Sequence, residues 1–238
     1  MGCVCAHTEL IFFETLLRRW YVVAFLAGYF AASVPERGWK ASLRFALIAF
    51  GVAFAAEISS TRNGFPFTHY AYTGKTRGDE LYLSNVPAFV PASYAVMIYA
   101  GRSLASLVAR SRITLVALGA VATMGVDLVV DPVAVRGDQW FLGDLFHYAS
   151  HGPWFGVPLG NFGGWVLVAA VVIGLDLASS RAEPVEPASR GALLAAAVLA
   201  FNVVLAFTIG ATLVGFASLG VAGIMGLGLF GRTPEVIT

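Results

Sequence analysis

The sequence predicts an all-α integral membrane protein, with about seven transmembrane helices in one bundle and two long loops on one face. Three observations predict it. Of 238 residues, 58% are hydrophobic and only 12% charged, with a mean hydropathy of +0.77. A soluble domain carries about 25% charged residues, so this chain cannot cover itself for water. Apolar stretches near the span length of about 20 residues recur throughout, and most polar residues gather in a few segments between them. The whole of 1–238 reads as a single helical domain.

The expected spans fall at about 14–34, 43–60, 86–108, 113–131, 165–179, 192–209 and 211–230. The first carries Arg18 and Arg19 near its start. Pro132 ends or kinks the fourth, because it lacks an N–H and clashes with the preceding turn. The fifth is short unless it extends upstream, and Gly210 alone divides the last two. Glycine and alanine at close intervals in ATLVGFASLGVAGIMGLGLF favour close helix packing over a glycine-lined groove. Cys3 and Cys5 sit in what reads as a frayed terminus and define no disulfide framework. Sorting Lys and Arg by loop gives nine inside and six outside for an N-outside arrangement. The net charge of +1 gives no reason to expect nucleic acid.

Spans two and four run in the same direction, so loops 61–85 and 131–165 share a face with the residues that end those spans. Three carboxyls approach that face. Glu57 lies in FAAEISS, and Asp127 and Asp131 lie in GVDLVVDP, four residues apart on one helix face. Ionisable groups in spans are costly and are functional candidates by default. The bland alternative is capping hydrogen bonds to Arg136, Arg62 or loop backbone. Acids crowded together and partly withdrawn from water would leave at least one protonated near neutral pH, the condition for a general acid. The same crowding suits a divalent cation. The acid pair resembles those that bind magnesium diphosphate in membrane prenyltransferases, although Asp79-Glu80 is a weak second motif. His147 and His151, with Asp144 or His69, have metal-ligand spacing. Gly152 and Pro153 argue against a helix there, so hydrogen-bonding loop histidines are expected and no metal is assigned. Trp140, Tyr148, Trp154, Phe155 and Trp165, with Tyr70 and Tyr72 opposite, read either as an interfacial belt or as a wall of rings that stabilises a cation.

Several of these blocks together resemble one family. DLVVDPVAVRGDQWFLG and GPWFGVPLGNFGGW, with Glu57, GFPFTHYAYTG and NVPAFVPASY before them, are similar to the carotenoid biosynthesis protein family. That family includes the CruF-type carotenoid 1',2'-hydratases and the bisanhydrobacterioruberin hydratases of haloarchaea. The last block is the most specific, through Phe155, Gly156, Val157, Pro158, Asn161, Phe162, Gly164 and Trp165. Trp154 stands where Tyr is common in the family, and Thr68 where Gly is expected. The resemblance implies a multi-pass protein of a prokaryotic inner membrane that adds water to the terminal isoprenoid C=C of an acyclic carotenoid, without a cofactor. It also implies a carotenoid or isoprenoid lipid substrate, contact with membrane lipid, and other carotenoid-pathway enzymes as partners. The expected catalytic groups are Asp131, Asp127 and Glu57. Trp140, Tyr148, Trp154, Phe155, Asn161, Tyr70 and His69 are expected to bind substrate or water. A cyclase or isomerase using the same protonation, and a non-catalytic carotenoid-binding subunit, are the alternatives.

Overall fold

The computed structural model describes residues 2–180 and 185–230 of the chain. Eight helices run in order: α1 (Gly2–Arg18), α2 (Trp20–Arg37), α3 (Trp39–Asn63), α4 (Phe89–Ser106), α5 (Arg112–Ala134), α6 (Leu159–Ala178), α7 (Ser189–Thr208) and α8 (Thr212–Phe230). Helices α2 to α8 fall on the seven expected stretches. Four helices, α3, α5, α6 and α7, are long and apolar enough to cross a membrane among the described residues. Short strands β1 (Tyr70–Tyr72), β2 (Tyr82–Leu83), β3 (Val86–Pro87) and β4 (Phe146–Tyr148) lie in the two long connections.

Several boundaries differ from expectation. The first stretch is divided at Arg19, whose φ of −103° and ψ of 32° break the helix. The break turns a guanidinium into the bundle, where Arg19 is 1% exposed. The segment carrying Cys3 and Cys5 is helical rather than frayed. Helix α6 starts upstream, at Leu159, because Pro158 in an extended conformation forms its N-cap.

Helix α5 passes through Pro132 and ends one turn later than expected. A proline leaves the carbonyl four residues earlier without its N–H. Here the indole Nε1–H of Trp154 donates to the Leu128 carbonyl at 3.0 Å, so the helix continues.

Helix α4 is central, packing on α2, α3, α5 and α7. Small residues set the approaches, as expected where helices pack without a hydrophobic driving force between them. A Cβ on Gly101 of α4 would stand 2.2 Å from Thr123 Oγ1 and 2.5 Å from Thr123 N on α5. Gly101→Ala must therefore push α4 and α5 apart. The expected cost is about 1–3 kcal/mol, read as a lowered unfolding temperature in detergent. Close packing in α8 is met at Gly215, where the Phe207 ring leaves no room for a Cβ, whereas Gly220 and Gly223 face open space.

The two long connections meet at one end of the bundle. Strand β1 pairs antiparallel with β4 in the register Tyr70↔Tyr148, Ala71↔His147, Tyr72↔Phe146. Thr73 extends the contact by donating from its hydroxyl to the Asp144 carbonyl at 2.6 Å. Lys75 pairs with the Asp144 carboxylate, and this hydrogen bond holds the Asp144 carboxyl below its ordinary range.

Candidate active site

Glu57 lies on the last two turns of α3, 3% exposed. Gly64, at φ 81° and ψ 0°, ends the helix in the left-handed conformation that glycine adopts without cost. The chain then turns back under the helix, and the Phe67 N–H donates to Ser60 Oγ at 3.0 Å. That turn delivers β1, whose alternation sends Tyr70 and Tyr72 inward and Ala71 outward. Both phenols donate to Glu57 Oε2. Tyr94, from the first turns of α4, donates to Oε1 at 2.6 Å. One buried carboxyl thus takes three phenolic hydrogen bonds.

The second acid group lies on α5. Asp127 and Asp131 are one turn apart and both buried. Asn161, in the first turn of α6, donates from Nδ2 to Asp127 Oδ2 at 2.8 Å and to Asp131 Oδ2 at 3.2 Å. Tyr148 of β4 donates to Asp131 Oδ2 at 2.6 Å. Burial, followed by the Asp131 and Asp127 charges, pushes the Tyr148 phenol well above its ordinary range, so it stays a donor. Burial and Glu57 do the same for Tyr70 and Tyr72. Strand pairing joins the two groups, since Tyr70 and Tyr148 are register partners with ring centroids 5.9 Å apart.

All three acids line one cavity of about 210 Å³. Its polar end holds Glu57, Asp127, Asp131, Asn161 and the four tyrosines. Its remaining wall is mostly apolar and aromatic, from residues such as Tyr21, Val22, Phe25, Val90, Met97, Val130, Trp140, Phe146, Val198 and Phe201, with Ser93 and Asn202 among them. Among the described residues no Arg, Lys or His pairs with the three acids. The capping alternative therefore loses its partner. Arg136 instead donates to the Pro132 carbonyl at 2.6 Å and the Phe155 carbonyl at 3.0 Å.

Seven residues expected at the site come together here: Glu57, Asp127, Asp131, Tyr70, Trp140, Tyr148 and Asn161. Three do not. His69 precedes Tyr70 and is exposed on the other side of the strand, its carbonyl accepting the Ala149 N–H at 3.0 Å. Trp154 is committed to the Leu128 carbonyl. Phe155, at φ 52°, sits in a tight turn and packs on the cluster of Val133, Ala206 and Val214. Replacing Trp154 by Phe should leave that carbonyl unpaired and cost about 1–3 kcal/mol of stability. Product formation by the folded fraction should not change, as judged by unfolding and turnover measured on one preparation.

His147 is exposed on β4 and pairs with Asp144 Oδ1 at 2.8 Å. No group of three or more His, Cys, Asp or Glu placed to hold a metal ion occurs among the described residues. Asp79 and Glu80, the weak second acidic motif, are engaged by Arg18 and Arg19. The sequence reading did not name Tyr94 or Phe146, and left Tyr72 as either a belt or a wall ring. Period-two alternation in YAY and FHY signals the last two, and Val90, Tyr94 and Met97 share one α4 face by helical spacing. Trp165, read as a possible belt residue, is buried and stacks on Tyr94 with centroids 4.4 Å apart.

A protein-family model described as carotenoid biosynthesis protein matches residues 17–229. No curated protein and no solved structure matches the chain.

Proposed function

We propose that this chain, which belongs to the carotenoid biosynthesis protein family, is a hydratase that adds water to the terminal isoprenoid C=C of an acyclic carotenoid. One observation carries the reading. Two hydrogen-bonded acid groups, Glu57 with three tyrosines and Asp127–Asp131 with Asn161 and Tyr148, line a single greasy, aromatic-walled cavity. The family implies an isoprenoid or carotenoid substrate, and the cavity suits one end of a long polyene rather than the whole molecule. The proposed membrane form uses α2 to α8 as seven spans.

In the proposed reaction Asp131 is the acid. It gives its proton to the less substituted alkene carbon, and the π electrons form the new C–H bond. The tertiary cation left on the other carbon faces the rings of Tyr148, Tyr70 and Phe146, whose π faces favour positive charge. Water attacks that carbon, and the resulting oxonium gives its extra proton to a carboxylate of the cavity. Glu57 is placed to orient the water, because its three phenols fix the carboxyl in position. The proton is returned, one water is consumed, and no electrons are gained or lost overall. Asp131, held by both Tyr148 and Asn161, is the better-positioned donor of the α5 pair.

The test uses purified protein with lycopene in heavy-oxygen water. The expected product is a tertiary alcohol carrying one labelled hydroxyl. Conversion without a mass gain of one water would instead identify a cyclase or isomerase. Binding without conversion, in folded protein, would reject catalysis.

A further inference from the structure

We propose that the arginine cluster where α2, α3, α4 and α6 meet, at the end of the bundle away from the acid cavity, binds the phosphate of an anionic phospholipid. Its centre is Asp176 on α6, fully buried. Arg37 donates from Nη2 to its Oδ2 at 2.6 Å, and Arg44 from Nη2 to its Oδ1 at 3.3 Å. A guanidinium carries five N–H donors, more than a shared carboxylate can engage. Three buried nitrogens of the cluster, Arg37 Nη1, Arg44 Nε and Arg102 Nε, have no acceptor among the described residues. Arg102 lies one turn beyond Tyr99 on α4, within range of the charges on Arg37 and Asp176. Arg37 stands over the Tyr99 ring at 5.9 Å.

A second carboxylate near the cluster is already engaged. Glu36 accepts from the Tyr99 hydroxyl at 2.6 Å and from the backbone N–H groups of Arg190 at 2.6 Å and Gly191 at 3.3 Å. Arg37 and Arg44 therefore share the Asp176 carboxylate, and Arg102 adds a third positive charge beside them. Buried like charges with open donors call for a multivalent anion, and phosphate matches the guanidinium fork.

The surface beside the cluster favours a lipid as the source. The Arg44 side chain is 34% exposed, so the cluster opens at the outer face of α3. Exposed Leu43, Leu47, Gly51 and Ala55 continue along α3 at four-residue intervals, an apolar strip on which an acyl chain can lie. A basic pocket between membrane helices next to such a strip suits an anionic headgroup. Arg44 lies nearly four turns before Glu57 on the same helix, about 20 Å away by helical rise. The two sites are separate.

The test is native mass spectrometry of the detergent-solubilised full chain, titrated with phosphatidylglycerol or phosphatidylcholine. Phosphatidylglycerol should bind at least about tenfold more tightly. Arg102→Met should lower that affinity by about tenfold, the loss of one charge-assisted hydrogen bond, and leave phosphatidylcholine binding unchanged. Equal affinity for the two lipids in the unaltered protein would overturn the proposal, whether or not the variant folds, and so would an unchanged affinity in a folded Arg102→Met. In a parallel arm, inorganic phosphate that raises the unfolding temperature as much as phosphatidylglycerol would overturn the lipid source and leave a free-phosphate site.

Discussion

Asp131→Asn should lower water addition by about 10²–10⁴-fold, the usual contribution of a positioned acid or base, with the fold retained. Asparagine is nearly isosteric and keeps a carbonyl oxygen to accept the Tyr148 hydroxyl, now at 2.6 Å. Asn161 keeps its 2.8 Å bond to Asp127. What disappears is the transferable proton. Tyr148→Phe is the companion. It keeps the ring at the cation but removes the donor that fixes Asp131, so its loss should be smaller. Glu57→Gln should fall between the two, because an amide can still orient water while its three phenolic partners must rearrange. The measurement is carotenoid profiling in a lycopene-making host, with protein levels determined alongside. Unchanged profiles for both Asp131→Asn and Glu57→Gln would leave a pigment-binding subunit as the reading.

The helical framework was readable because spans announce themselves by length and apolarity, and α3, α5, α6 and α7 meet that criterion strictly. The acids were readable for a related reason. A carboxyl in a span costs so much to bury that Glu57, Asp127 and Asp131 stand out one by one. Their convergence followed from direction alone, since spans two and four end at the same face. The partners were harder. Tyr94 looks like any aromatic near a helix start until Glu57 is placed against it. His69 and Tyr70 are neighbours in sequence with opposite fates, because a three-residue strand sends alternate side chains to opposite sides. Treating 64–74 as a loop hid that alternation. The bond of Trp154 to α5 was not readable while Pro132 was expected to end or kink that helix. Once α5 is seen to continue, the freed Leu128 carbonyl needs a donor, and the indole supplies it. The break at Arg19 was unreadable because the groups that receive its guanidinium, Glu80, Leu142 and Phe89, lie in other segments.

The pair of Arg19 and Glu80 gives the largest expected effect on stability. Arg19 Nε lies 2.6 Å from Glu80 Oε1, with side chains 2% and 0% exposed. Removing one partner of such a pair strands a buried charge, and Glu80→Ala should cost about 3–5 kcal/mol. Asp79→Ala next door should cost about 0–1 kcal/mol, because Arg18 and Asp79 are 46% and 57% exposed. The comparison isolates burial from charge. Arg19 also donates to the Leu142 carbonyl at 2.7 Å and lies 4.3 Å above the Phe89 ring. Leu142 and Phe89 line the acid cavity, so loosening Arg19 should also slow turnover at temperatures where the protein is still folded. A double variant, Arg19→Met with Glu80→Leu, removes both charges and should recover most of the lost stability, since matched apolar side chains often replace a buried pair without penalty. Unfolding of the unaltered protein, Arg19→Met, Glu80→Leu and the double variant in one detergent closes the cycle and measures the coupling directly. A coupling near zero would mean that the break between α1 and α2 is held by Leu142 and Phe89 rather than by the ion pair.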